Sequence, residues 1–270
     1  MTLEAGAGRG VGAAPGARTG APGAATEVAC WPPVRTVTTS DGWLVGLSGG
    51  FTRRANSAVV LTEPTDVRQA VDEVERVFAA AGLPAVVRIG RGERDALAAE
   101  LDRRGWRARA GARVLARHVD GTVAPAAERG DGSDGPIEVV DAPDDAWLDL
   151  YLATKGPSDV RALARTILTG GRAQHVAARV DGVLVGIVRV AFADGWAGLS
   201  CLAVDPGRRR RGLGRRLTVH GLAVAHRAGV DRVFLQVEEG NSAVGAWYAQ
   251  LGFREVDDYR YREARGGAGR

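Results

Sequence analysis

Two cysteines in 270 residues, Cys30 and Cys201, allow at most one disulfide and form no CxxC. The four histidines, His118, His175, His220 and His226, fall in no HxxxH or HExxH pattern, so no metal site is expected. No run approaches the roughly 18 apolar residues that a membrane-spanning helix needs, so no membrane partner is expected. The N-terminus lacks the apolar h-region of a signal peptide, and a reduced, cytoplasmic protein follows as the expectation. A GxxxxGK[ST] loop is absent, which excludes a P-loop. Charge of one sign is missing too. The 36 basic residues, nearly all arginine, face 32 acidic ones, for a net charge of +4. An excess this small argues against a nucleic-acid partner unless arginines cluster locally.

What is present divides the chain. Residues 1–29 hold nine Ala and seven Gly, and such a stretch buries too little apolar surface to order itself, so a disordered tail is expected. Residues 30–119 read as a first module. "VRTVTT" alternates like a strand, and Asp41–Gly42 marks a hairpin turn. "TDVRQAVDEVERVFAAAG" reads as a helix with Thr65 or Asp66 as cap, Val67, Val71, Val74 and Phe78 as its apolar stripe, and Gly82 as its stop. A strand "PAVVRI", a helix "ERDALAAELDRRG" and strand material in "WRARAGARVLARHV" follow. Residues 120–136 form a polar linker.

Residues 137–263 read as a second module, with residues 264–270 as a tail. It opens with a strand and two helices, then a three-stranded meander turned at Asp181–Gly182 and Asp194–Gly195. A helix over "LGRRLTVHGLAVAHRAG", a strand "DRVFLQVE", a helix "SAVGAWYAQLG" and a last strand complete it. One internal echo links the modules. "ALAAELDRRGWRARAGARV" and "AVGAWYAQLGFREVDDYRY" are both helices that end in Gly-aromatic and run straight into a strand.

Between the meander and its helix lies "GRRRRGLGRR", residues 207–216. A charge run on a solvated face needs no glycines at a strand-to-helix junction, and this one has Gly212 and Gly214. The first amides of a helix have no intrahelical partner, and the helix dipole adds about half a positive charge there. Glycine lets an anion approach the backbone, and arginines add charge-assisted hydrogen bonds. Together these features describe a pyrophosphate cradle.

Twenty-seven residues beyond Gly214 comes "NSAVGAWYAQLGF". The combination strand–RxxGxG–helix–strand–N…Y…LGF resembles the GNAT superfamily of acyl-CoA N-acyltransferases over residues 137–262. The stretch "WPP…DGW…GGFTRRANS" resembles a bacterial subgroup of two-module GNAT proteins. The resemblance implies an α/β (α+β) fold, with a mixed, mainly antiparallel central sheet flanked by helices and a degenerate GNAT-like N-terminal module. It implies acetyl-CoA as co-substrate and an amine as acceptor, small molecule or protein. Arg209, Arg210, Arg211, Gly212, Leu213, Gly214 and Arg215 would then hold the pyrophosphate of coenzyme A, although Arg210 stands where many members have glycine. The strand backbone of Leu202, Ala203 and Val204 would pair with pantetheine, and Asn241 would contact the cofactor arm. Tyr248 would lie near the thioester sulfur.

The chemistry also sets its own demands. Thioester aminolysis needs a neutral amine, yet an alkylamine has a pKa of about 10.4, so a base or a water must take its proton. Glu238 and Glu239 end the strand facing the acyl site, alternation turns them to opposite faces, and Glu238 is the chosen base. A strand amide near Leu202 would stabilise the oxyanion, and Tyr248 would protonate the leaving thiolate. Tyr248 also reads as a core tyrosine, and Glu238 as a solvated strand end. Cys201 reads as a small core residue, and Trp147 and Tyr151 as buried helix aromatics. The first module has no such loop and carries Pro64 in its place, so it should not bind coenzyme A. A non-catalytic acyl-CoA-binding regulator, a nucleic-acid binder and a homodimer stay open at this point.

Overall fold

The computed structural model describes residues 20–90, 95–122, 135–153 and 160–265. The first half runs α1 (Ala24–Cys30), β1 (Arg35–Thr38), β2 (Leu44–Leu47), β3 (Ala58–Val59), α2 (Val67–Ala80), β4 (Val86–Gly90), α3 (Asp95–Arg103) and β5 (Arg107–His118). The second runs β6 (Ile137–Val140), α4 (Asp145–Leu152), α5 (Arg161–Thr169), β7 (Arg172–Val180), β8 (Val183–Ala193), β9 (Trp196–Val204), α6 (Leu213–Arg227), β10 (Arg232–Glu238), α7 (Ser242–Ala249) and β11 (Arg254–Glu263).

The eleven strands among the described residues join one sheet, ordered β1-β2-β3-β4-β11-β5-β10-β9-β8-β7-β6. Pairing is antiparallel except for β3 with β4 and β9 with β10. The helices α2 and α6 are the crossovers of those two parallel pairs, so the halves share one plan. The sheet is mixed and mainly antiparallel with helices on its faces, as the resemblance implies.

The two modules of the sequence do not own separate sheets. Strand β5 of the first half pairs with β10 from Arg232↔His118 to Glu238↔Ala112. Strand β11 of the second half pairs with β4 from Tyr259↔Gly90 to Glu263↔Val86. Each half thus ends beside a strand of the other, and the exchanged pair is the pair of strands in the internal echo. The helices before them stop at Gly105 and Gly252, both left-handed with φ 72° and 81°, and each passes directly into its strand. Leu115 and Val119 of the first half accordingly pack in the second half's core with Leu213, Leu217 and Phe253.

Several sequence expectations meet their residues. Asp66 caps α2 by accepting from the amides of Arg68 and Gln69. At Asp181–Gly182 and Asp194–Gly195 both residues have positive φ, the two-residue hairpin geometry. Around Asp41–Gly42 only Gly42 does, and the connection widens to five residues. The expected tail needs correction. Helix α1 begins at Ala24, and Thr26, Glu27 and Cys30 are buried. Glu27 pairs with Arg88 at 2.6 Å, so a charged anchor orders a segment whose composition promises none. Ala264 also extends the described chain, donating to the Ala85 carbonyl. Residues 1–19, 123–134 of the linker and 266–270 lie outside the described residues. No described helix is long and apolar enough to cross a membrane.

Candidate functional site

Strands β9 and β10 pair in parallel from Trp196↔Arg232 to Leu199↔Leu235 and then part. Strand β9 continues to Val204 and β10 to Glu238. Past Leu199, over Leu202 to Val204, strand β9 therefore has an edge not paired with β10 and available to an extended ligand, with the Val204 carbonyl there already accepting from Arg209 Nε. On the β8 side the register slips, so that Cys201 and Leu202 together face Val188. Cys201 takes φ 60°, the left-handed region that non-glycine residues rarely enter. A bulge of this kind re-aims backbone groups at a site's edge.

The parted strands open a cleft of about 270 Å³, lined by Ser200, Cys201, Leu202, Gln236, Glu238, Asn241 and Tyr248 among others. Cys201 is half-buried: it packs against the core cluster of Ile187 and Ala203, as its reading as a core residue expects, and it also lines this cleft. Gln236 is a lining residue that sequence reasoning missed, although alternation places it on the Glu238 face of β10. Its amide donates to Glu27 and accepts from Arg54, so side chains of the first half reach this wall. Glu238 is exposed at the end of β10 and lines the cleft, whereas Glu239 pairs with Arg260 at 2.6 Å. Strand β10 ends at Glu238, and Glu239 lies in the turn that follows rather than on the opposite strand face that alternation expects. Trp147 and Tyr151 are buried, 1% and 2% exposed, and neither lines the cleft.

The arginine loop sits at the cleft's end. A 3-10 turn at Pro206–Arg208 is held by Asp205, whose carboxylate accepts from the Gly207 amide at 2.8 Å. Arg209 folds back and donates through Nε to the Val204 carbonyl at 3.1 Å. Arg210 adopts φ 64°, the angle a glycine would take more cheaply, at a cost of about 1–2 kcal/mol. Gly212 caps α6 with φ 89° and, as glycine, gives no side-chain cap to the first amides of the helix. A Cβ at Gly212 would meet nothing within 4 Å, and one at Gly214 only Val204 Cγ2 at 3.9 Å. The space over the helix start is open, and it fits a pyrophosphate.

Arg209, Arg210, Arg211 and Arg215 are exposed. Leu213 is 1% exposed and packs in the core, so of the expected cofactor contacts it can give only its amide. Ala203 likewise turns its methyl into the core and leaves its backbone at the edge. Asn241 lines the cleft, but its Oδ1 caps α7 by accepting from the Val244 amide at 3.2 Å. Its Nδ2 is the group left for a ligand.

Tyr248 is 9% exposed, with the rings of Trp247 and Phe253 at 4.7 and 5.5 Å. Burial pushes its phenol above the ordinary value, so the hydroxyl stays protonated at neutral pH. A larger cavity of about 370 Å³ lies at the other end of β10, beside Trp196 and Arg232, and contains none of these residues. Among the described residues, no three His, Cys, Asp or Glu side chains gather in a way that could hold a metal.

A family model described as probable histone acetyltransferase Rv0428c, C-terminal, matches residues 23–262. Mycothiol acetyltransferase of Thermobispora bispora is 46% identical over 89 residues, 30% of this chain and 30% of that protein. Mycothiol acetyltransferase of Beutenbergia cavernae is 43% identical over 77 residues, 28% of this chain and 26% of that one. The chain thus matches less than a third of the length of these relatives. A GCN5-related N-acetyltransferase from Kribbella flavida superposes with TM-score 0.64 at 18% identity, covering 90% of this chain and 96% of that one. A tandem GNAT protein from the clavulanic acid biosynthesis pathway gives 0.62 at 18% identity, covering 92% and 88%.

Proposed function

The chain belongs to the acetyltransferase family of that model, within the GNAT superfamily, and from that premise we propose that it transfers an acetyl group from acetyl-CoA directly to a primary amine. The observation that carries this reading is the pairing of the parted β9–β10 edge with an uncapped helix start among arginines. The open edge takes the pantetheine arm, and the amides after Gly212 with Arg209–Arg211 and Arg215 take the pyrophosphate. The thioester then lies in the cleft between Leu202, Glu238 and Tyr248.

The amine nitrogen attacks the acetyl carbonyl, and its proton goes to Glu238 or to a water held by it. The oxygen that gains negative charge accepts from a strand amide at the bulge near Leu202. The C–S bond then breaks, and the sulfur receives its proton through Tyr248, which solvent reprotonates. Because burial raises the phenol, full proton transfer to a thiolate with a pKa of about 8.5 is uphill. Tyr248 therefore acts first as a hydrogen-bond donor to the sulfur as charge develops, and as acid only when the bond is nearly broken.

The names of the family and its relatives point to histones and mycothiol-related amines as acceptors to include among amines and basic proteins. The test is acetyl-CoA-dependent thiol release against that panel. Tyr248→Phe should keep acetyl-CoA affinity and lose about 100-fold in kcat. A wild-type rate in that variant overturns the role of Tyr248. No thiol release with any amine, despite tight acetyl-CoA binding, would instead mark a non-catalytic binder.

A further inference from the structure

Helix α7 carries Tyr248 and is capped by Asn241, yet two side chains of the first half hold its ends. Arg113 Nη2 donates to the Asn241 carbonyl at 3.2 Å, and Arg117 Nη1 donates to the Leu251 carbonyl just past the helix. Both arginines lie on the exchanged strand β5, four residues apart, so they share one face. Four strand residues span about 13 Å and an eight-residue helix about 12 Å. The two guanidinium groups are thus spaced to the length of the helix.

Local energetics do not explain the arrangement. Gly245 stands inside the helix, where glycine costs about 1 kcal/mol against alanine. A cation at a helix N-terminus opposes the dipole. The contact between the two supplies the reason. A Cβ at Gly245 would lie 2.4 Å from Arg113 Nη2, so the guanidinium occupies the place of a side chain. Arg113 also reaches Glu255 of β11 at 3.8 Å, tying the helix to the other exchanged strand.

We propose that Arg113 and Arg117 are positioning residues that clamp α7 and set Tyr248 against the thioester sulfur. The first half then serves the reaction through its exchanged strand rather than through a cofactor site of its own. The kinetic part of this inference rests on the donor role of Tyr248 given above; the clamp itself does not.

The test uses the full-length chain with Arg113→Ala, Gly245→Ala and Tyr248→Phe, read by hydrogen exchange and by thiol release. Arg113→Ala should speed exchange of the α7 amides about tenfold and leave those of α6 and β9 unchanged. It should lower kcat about tenfold, and cost nothing further in kcat in a Tyr248→Phe background. Gly245→Ala should reproduce both effects by displacing the guanidinium, although alanine favours the helix. Unchanged α7 exchange in both variants overturns the clamp. An equal loss of rate in the Tyr248→Phe background overturns its action through Tyr248. A Tyr248→Phe enzyme at wild-type rate would sink the donor role alone, and α7 exchange would then decide the clamp.

Discussion

The junctions from β3 to α2 and from β9 to α6 occupy the same place in the two halves, each leading into the crossover of a parallel strand pair. At the first, Asp66 accepts from the amides of Arg68 at 2.8 Å and Gln69 at 3.3 Å. A carboxylate fills the helix start and would repel any anion. At the second, Gly212 leaves the start without a side-chain cap, and arginines surround it. A helix start closed by its own side chain has no spare amides for an anion, whereas one capped by glycine leaves them to water or to a ligand. The shared plan therefore does not imply a shared site.

The most severe test of this contrast copies the first junction into the second. Gly212→Asp places a charge against the pyrophosphate and a side chain at φ 89°, and acetyl-CoA affinity by calorimetry should fall about a thousandfold. Gly212→Asn, which tolerates the left-handed region, should lose far less.

Acid should separate the halves next. His175 of β7 is fully buried between the Asp141 and Leu168 carbonyls, each 3.2 Å from a ring nitrogen. Burial, helped by the Arg189 charge, lowers its pKa from 6.5 to about 4. The unfolded chain then binds the extra proton first. Stability is full above pH 6.5 and falls as pH drops toward 4, by at most about 3 kcal/mol from this group. Denaturant unfolding at pH 7 and pH 4.5 should show the loss, and His175→Gln should flatten it. In the first half His118 is exposed.

Opening the first junction should do little. Asp66→Ala should cost about 1 kcal/mol of stability by chemical denaturation and leave acetyl-CoA affinity unchanged. The smallest effect concerns the two thiols. Burial pushes Cys30 up to about 11, so it should resist iodoacetamide, whereas half-buried Cys201 should be alkylated and be shielded by acetyl-CoA. Equal labelling of both by mass spectrometry would contradict the placement of Cys201 in the cleft.

Much of this was legible because the signals are local. Gly212 and Gly214 at a strand-to-helix junction announce an open helix start, and Asp66 announces a closed one. The Asp-Gly pairs mark the meander turns. What stayed hidden depends on distant partners. The helix at Ala24–Cys30 is anchored by the buried pair of Glu27 with Arg88, 61 residues away, which composition does not register. The exchange of β5 and β11 left a trace in the internal echo, but similar helix–strand units do not reveal which neighbours they choose. The bulge at Cys201 arises from the register against β8, a property of two strands together. Arg113 looked like one arginine among many until Gly245 stood beneath it.

The central claim is that one helix start, and not its counterpart, holds acetyl-CoA. Calorimetric titration of the full-length chain tests it most directly. The account predicts one acetyl-CoA bound per chain in the wild type and in Asp66→Ala, with binding lost in Gly212→Asp. Two sites in the wild type, or undiminished binding in Gly212→Asp, would contradict it.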